Sequence, residues 1–177
     1  MEEGIGDWSA HVKADLEATF GPGPYTVMIA GVFDILHPGH IFYIQQAAQF
    51  GDVIVILARN TSVMRVKHHD PSVDEAVRLM MVNSIKGVAQ AVLGDPSGKW
   101  YLPVLAHNPH LFLMGFNQPG DPAEFQDKVH QLGGRTIFRR VPESHDTLLF
   151  SSSQLKRHIV ETYSEASPRT TSRSGLL

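Results

Sequence analysis

The chain has 177 residues, 42% hydrophobic and 19% charged, with a net charge of −3 and no cysteine. That is long enough for one full α/β core and too acidic for a broad nucleic-acid footprint, while the missing cysteines exclude disulfides, zinc–thiolate sites and thiol chemistry. No apolar run approaches the roughly 20 residues of a membrane span, and Met1-Glu2-Glu3 opens acidic, without the basic start of a secretory signal, so a cytoplasmic protein without membrane or nucleic-acid partners is expected.

Residues 1–23 read as an N-terminal extension. Trp8, Val12, Leu16 and Phe20 recur at four-residue spacing, as in a short amphipathic helix, before Gly21-Pro22-Gly23-Pro24 breaks it. Packing of this helix on the domain that follows is favoured over packing on a partner. That domain spans residues 24–163. Tyr25 to Ala30 is short, apolar and β-branched at Val27 and Ile29, the pattern of a buried strand. Ile41, Ile44, Ala47 and Ala48 then recur at helical spacing. The continuous apolar run Val53 to Ala58 is the mark of a parallel strand buried on both faces.

Arg59 to Pro71 reads as a polar loop carrying Arg65, Lys67, His68 and His69. A helix is predicted from about Asp74, its N-cap, to Lys86, with Val77, Met81 and Ile85 on the inward face. Val88 to Leu93 is the third strand, and residues 98–107 a short irregular helix. Leu111 to Met114 is the fourth strand. Pro122 to Leu132 is helical with Phe125, Val129 and Leu132 inward, and Thr136 to Phe138 is the fifth strand. Ser151 or Ser152 caps a last helix bearing Leu155, Ile159 and Tyr163. The Ser/Thr/Arg-rich residues 164–177 have no period and are expected to be disordered. Strands alternating with helices give a parallel sheet with right-handed crossovers, and ligands of such sheets bind beyond the carboxyl ends of the strands.

Between the first strand and the first helix of the domain lies Gly31-Val32-Phe33-Asp34-Ile35-Leu36-His37-Pro38-Gly39-His40. Pro38 suits the first turn of a helix and Gly39 lets a ligand approach the backbone. Free N–H groups and the positive end of the helix dipole favour an anion there, beside two imidazoles. Other candidates are weaker. Gly94-Asp95-Pro96-Ser97-Gly98-Lys99 lacks the spacing of a phosphate-binding P-loop, and His68-His69-Asp70 has no third metal ligand at a sensible spacing.

The strand–His37-x-Gly39-His40–helix unit resembles the signature of the nucleotidyltransferase superfamily, in its cytidylyltransferase-like branch. The likeness runs from about Tyr25 to Ile159, through Ala58-Arg59-Asn60, Lys67, Pro71 to Arg78 and Leu93-Gly94-Asp95. Gly115-Phe116-Asn117-Gln118 is similar to the Gly-Tyr-Asp-Gln of archaeal-type FAD synthases, and Phe150 to Lys156 resembles the serine-rich helix start of the same families. The resemblance implies a Rossmann-like α/β fold: a parallel five-stranded sheet in order 3-2-1-4-5, with helices on both faces and often a homodimer. It implies transfer of AMP or CMP from ATP or CTP to a phosphorylated small-molecule acceptor, with FMN and ATP favoured. A CTP-dependent phospho-alcohol enzyme is the second reading, and a catalytically silent nucleotide-binding module the third.

By that resemblance His37, His40 and Lys67 are catalytic, and Gly31, Val32, Phe33, Asp34, Pro38, Gly39, Asn117, Phe150, Ser152 and Ser153 line the nucleotide. Mg²⁺ comes with the triphosphate and needs few protein carboxylates. Asp34 either takes part in that chemistry or orients the turn by accepting backbone N–H bonds. Arg78 either reaches the phosphates or salt-bridges on its helix. Ser152 and Ser153 hold a phosphate or serve as a plain cap, and Phe150 flanks the base or packs. Departures from the branch fall at Asn60, His68, Phe116, Asn117 and Phe150, where the base and acceptor are expected to lie.

Overall fold

The computed structural model describes residues 5–142 and 151–165. Five strands form one parallel sheet in the order β3-β2-β1-β4-β5: β1 (Tyr25–Gly31), β2 (Gly51–Leu57), β3 (Val88–Leu93), β4 (Leu111–Met114) and β5 (Ile137–Arg140). Side chains alternate across a strand, and the core divides accordingly. Val27 and Ile29 of β1, Val53, Val55 and Leu57 of β2, and Leu111 and Leu113 of β4 face one layer. That layer contains Ile44 and Ala47 of α2 (Pro38–Ala48) and Val82 of α4 (Glu75–Asn83). Met28, Ile54, Ile56, Phe112, Met114 and Phe138 face the other, under Val104 of α5 (Tyr101–His107) and Val129 of α6 (Pro122–Gln131).

The order reverses between β1 and β4. The chain leaves β1 toward one face and β4 toward the other, and it is at such a reversal that parallel sheets form their ligand crevice. The N-terminal helix α1 (Ile5–Phe20) joins the first layer. Val12 and Leu16 are buried in it, Trp8 meets Phe50 edge-on, and Arg139 pairs with Asp15 at 2.6 Å.

Several boundaries differ from the sequence reading for physical reasons. Asn60–Lys67, taken as loop, is the helix α3; Val63 is its buried residue, so no apolar stripe announces it. On α4 the inward residues are Arg78 and Val82, whereas Val77 is 43% exposed. A buried arginine occupies the stripe position, and that rotates the face away from the one the apolar spacing suggested. Leu132 lies just past α6 and is exposed, as are Ile159 and Tyr163 on α7 (Ser152–Glu165). Helix α7 includes Ser164 and Glu165, and residues 166–177 lie outside the described residues.

Candidate active site

The turn from β1 into α2 is built around Phe33, a left-handed residue (φ 51°) whose ring is buried. A Cβ on Gly31 would come within 2.8 Å of that ring, so glycine is required where the strand ends. The Phe33 ring supports His40 at 4.8 Å between centroids, and His40 stacks on His37 at 3.8 Å with 29° between planes. His37 stands at the N-cap of α2, with Pro38 in the first turn, yet its side chain makes no capping bond.

Among the described residues the buried Nδ1 atoms of His37 and His40 have no hydrogen-bond partner. A neutral imidazole whose Nδ1 is bare carries its proton on Nε2. Burial lowers the pKa of His37. Burial also pushes His40 down to about 3, with the His37 and Lys67 charges adding and Asp34 opposing. Both shifts favour the uncharged rings at neutral pH, beside the start of a helix.

Lys67 ends α3, exposed and close enough for its charge to act on His40. Asp34 is buried below the turn: its Oδ1 accepts from Val73 N–H at 2.9 Å and its Oδ2 pairs with Lys156 at 2.5 Å. Burial alone would raise this carboxyl, but the bonds from Lys156, Ser72 and Val73 outweigh it and hold the pKa below the ordinary value. Both carboxylate oxygens of Asp34 are thus engaged within the protein in this structure. Among the described residues no group of three His, Cys, Asp or Glu side chains is placed to hold a metal ion.

Arg78 departs from both expectations. It is 0% exposed, and its guanidinium donates to Val73 O (2.9 Å), Val32 O (2.5 Å), Ala58 O (2.9 Å) and Asn60 Oδ1 (2.8 Å). A group enclosed in this way neither reaches a phosphate nor salt-bridges at a helix surface. It ties the β1–α2 turn to the end of β2 and the start of α3 from below. Asn60, expected near the substrate, belongs to this network and also donates to Asp74 at 2.9 Å.

The opposite wall is the loop 115–120 after β4, where Phe116 and Asn117 are exposed. Gln118 accepts from Gly115 N–H (2.8 Å) and donates to Ala30 O (2.6 Å), which fastens the loop to β1. Tyr43 of α2 donates to Leu113 O at 2.5 Å, so the histidine helix is bolted to β4 as well. Helix α7 lies over the turn: Ser152 Oγ donates to Ile35 O (3.3 Å) and Lys156 reaches Asp34. Ser151 is the cap. Its Oγ accepts from Gln154 N–H (3.2 Å) while Gln154 Oε1 accepts from Ser151 N–H (2.7 Å), a reciprocal capping box. Ser153 is exposed, and Phe150 lies outside the described residues.

Gly31, Val32, Phe33, Asp34, Pro38, Gly39, His37 and His40 therefore share one turn, with Lys67, Ser152 and Lys156 around it. Lys156 carried no assigned role in the sequence reading beyond its place in the serine-rich segment. Its signal there was a lysine one helical turn after Ser152.

Comparison with known proteins gives a coherent result. The cytidylyltransferase-like family matches residues 28–158. The FAD synthase of Thermoplasma volcanium is 35% identical over 139 residues, covering 78% of this chain and 96% of that protein. The FAD synthase of Methanosphaerula palustris is 36% identical over 140 residues, 77% of this chain and 88% of that one. A crystal structure described as a lipopolysaccharide core biosynthesis protein from Thermoplasma volcanium superposes with a TM-score of 0.65 at 34% identity, over 69% of this chain and 99% of that one.

Proposed function

The chain belongs to the cytidylyltransferase-like family, and on that premise we propose that it is a nucleotidyltransferase that joins AMP from ATP to FMN. An oxygen of the FMN phosphate attacks the α-phosphorus of ATP, the bond to the β-phosphate oxygen breaks, and FAD and pyrophosphate result. The attacking oxygen is already anionic, so the reaction needs no side-chain nucleophile. What it needs is alignment and donors aimed at the charge that builds at phosphorus. The observation that carries the reading is the stacked pair His37 and His40 at the start of α2, both pushed toward the neutral form and with buried Nδ1 atoms.

Within this reading Gly39 and the first turn of α2 hold the triphosphate, His37 and His40 donate to its oxygens, and Lys67 neutralises the departing pyrophosphate. Val32, Phe33 and Pro38 shape the turn, and Ser152 and Ser153 close it from α7. Asn117 flanks the ribose and base, with Phe150 assigned to the same place. Mg²⁺ would come bound to the triphosphate and neutralise part of the negative charge on its oxygens. Asp34 is committed to Val73 and Lys156, and so keeps the turn and α7 in place. No described helix is long and apolar enough to cross a membrane, and a cytoplasmic homodimer is the form in which we expect the enzyme to act.

The test is pyrophosphate release with each of four nucleoside triphosphates against FMN and a panel of phospho-alcohols, with Mg²⁺ present. Release with ATP and FMN is expected. Release only with CTP and a phospho-alcohol would replace the substrate assignment while keeping the reaction class.

A further inference from the structure

Arg140, the last residue of β5, is paired in register with Met114 at the end of β4, on the edge strand of the sheet. Its guanidinium reaches past that strand end into the loop 115–120. Nη1 donates to Gly115 O (2.9 Å), Gln118 O (2.6 Å) and, at longer range, Phe116 O (3.4 Å), while Nη2 donates to Gly120 O. One cation thus gathers four carbonyls of a six-residue loop, and the loop's fifth anchor is the Gln118 side chain on Gly115 and Ala30. The fork geometry of arginine makes this possible; a lysine ammonium is a point charge and cannot span the same set.

The consequence is directional. With Gly115, Phe116, Gln118 and Gly120 giving their carbonyls to Arg140, the exposed side chains of the loop are those of Phe116, Asn117 and Pro119, with Phe116 45% exposed. The loop is also registered on β1 through Ala30, one residue before the Gly31 that opens the histidine turn. A loop fixed at both ends and along its length holds its exposed side chains, Phe116 and Asn117 among them, at a set distance from the histidine turn. A loose one would pay an ordering cost each time a ligand bound.

We propose that Arg140 is a positioning residue for base recognition: by holding the loop 115–120 it fixes Phe116 and Asn117 so that the crevice distinguishes ATP from CTP. The proposal rests on the reading of the crevice as a nucleoside triphosphate site. Arg140 touches backbone on the opposite wall from His37 and His40, so its effect falls on nucleotide affinity and choice, and the transfer step stays with the histidines.

The experiment is calorimetric titration of MgATP and MgCTP, without acceptor, into the wild type, Arg140→Ala, Arg140→Lys and Asn117→Ala, followed by steady-state kinetics on the same proteins. Arg140→Ala is expected to weaken ATP binding about ten-fold, as loss of preorganisation does, and to bring the ATP-to-CTP affinity ratio toward one. Its kcat at saturating ATP should stay within about three-fold of wild type, the signature of lost uniform binding. Arg140→Lys should recover little of the ratio. Asn117→Ala should lose the ratio with the loop's hydrogen bonds intact, and it keeps the idea testable if Arg140→Ala does not fold.

An unchanged ratio in Asn117→Ala, full recovery by lysine, or a fall in kcat at constant KM would each overturn the proposal, as would a wild type that binds ATP and CTP equally. A wild type that discriminates between the two but releases no pyrophosphate with FMN would instead contradict the functional reading above and leave the role of Arg140 standing.

Discussion

The crevice has two walls, and each is held by one arginine whose partners are mostly backbone carbonyls. Arg78, under the histidine wall, is fully enclosed and joins three segments distant in sequence, at Val32, Ala58 and Val73. Arg140, behind the facing loop, is half-buried at the end of an edge strand and grips a single loop. The same chemistry therefore does different work according to depth. Removing the enclosed cation takes one shared donor from three separate segments and empties a buried site, whereas removing the outer one loosens a single loop. The histidine wall is part of the fold; the loop wall is an adjustable attachment to it.

The sharpest way to separate the walls is to strike the chemistry directly. His40→Ala is expected to lower kcat by about 10²–10³-fold, the typical loss for a preorganised donor, with circular dichroism of the variant matching the wild type. A comparable loss from any substitution in the loop 115–120 would erase the division between the walls.

Next in size is the enclosed bolt. Arg78→Ala empties a fully buried site and takes the donor from three part-buried carbonyls, at about 1–3 kcal/mol for each that stays unpaired, so urea unfolding should report a loss of about 3 kcal/mol or more. Arg78→Lys should restore little, because the partners are arranged around a planar fork. If Arg78→Ala instead keeps its stability and loses activity, Arg78 contacts the phosphates after all.

The histidine wall should also carry a pH signature that the loop wall lacks. Burial holds His40 near a pKa of about 3 in the native protein, against about 6.5 in the unfolded chain. Between those values the unfolded chain binds a proton that the native one does not, so stability is lost as pH falls through this window. His37, lowered in the same direction, adds to the effect. Asp34, held below its ordinary value, contributes stability that is lost only in more acid solution. Melting temperature should therefore drop from pH 7 to pH 5, and His40→Asn should flatten the slope. A slope unaltered in that variant would assign the titration elsewhere.

The smallest effect belongs to α7, which docks on the turn through Ser152 and Lys156. Ser151→Ala removes half of the capping box and is expected to cost about 1 kcal/mol, read as faster hydrogen exchange within residues 152–158 and nowhere in the sheet.

The same contrast explains what could be read from the sequence. The strands were legible because a parallel sheet covered on both faces needs continuous apolar runs, as in Val53 to Leu57. The turn was legible because Gly31, Pro38 and the two histidines each answer a local demand at a strand-to-helix junction. The roles of Arg78, Gln118, Arg140 and Tyr43 were not, since each acts on backbone carbonyls, and a carbonyl leaves no mark in the sequence. Helix α3 escaped notice because Val63 is its buried residue. The inward face of α4 was misplaced because a charged side chain fills the stripe. Polar side chains with backbone partners are where periodicity stops being informative.

The most direct test of the central claim uses the wild-type protein with FMN, Mg²⁺ and ATP labelled at the α-phosphate. The account requires the label to appear in FAD, with one pyrophosphate released per FAD formed, and both to fall together in His40→Ala. Folded protein that binds ATP but leaves FMN unlabelled, or a His40→Ala variant that labels FAD at the wild-type rate, would contradict it.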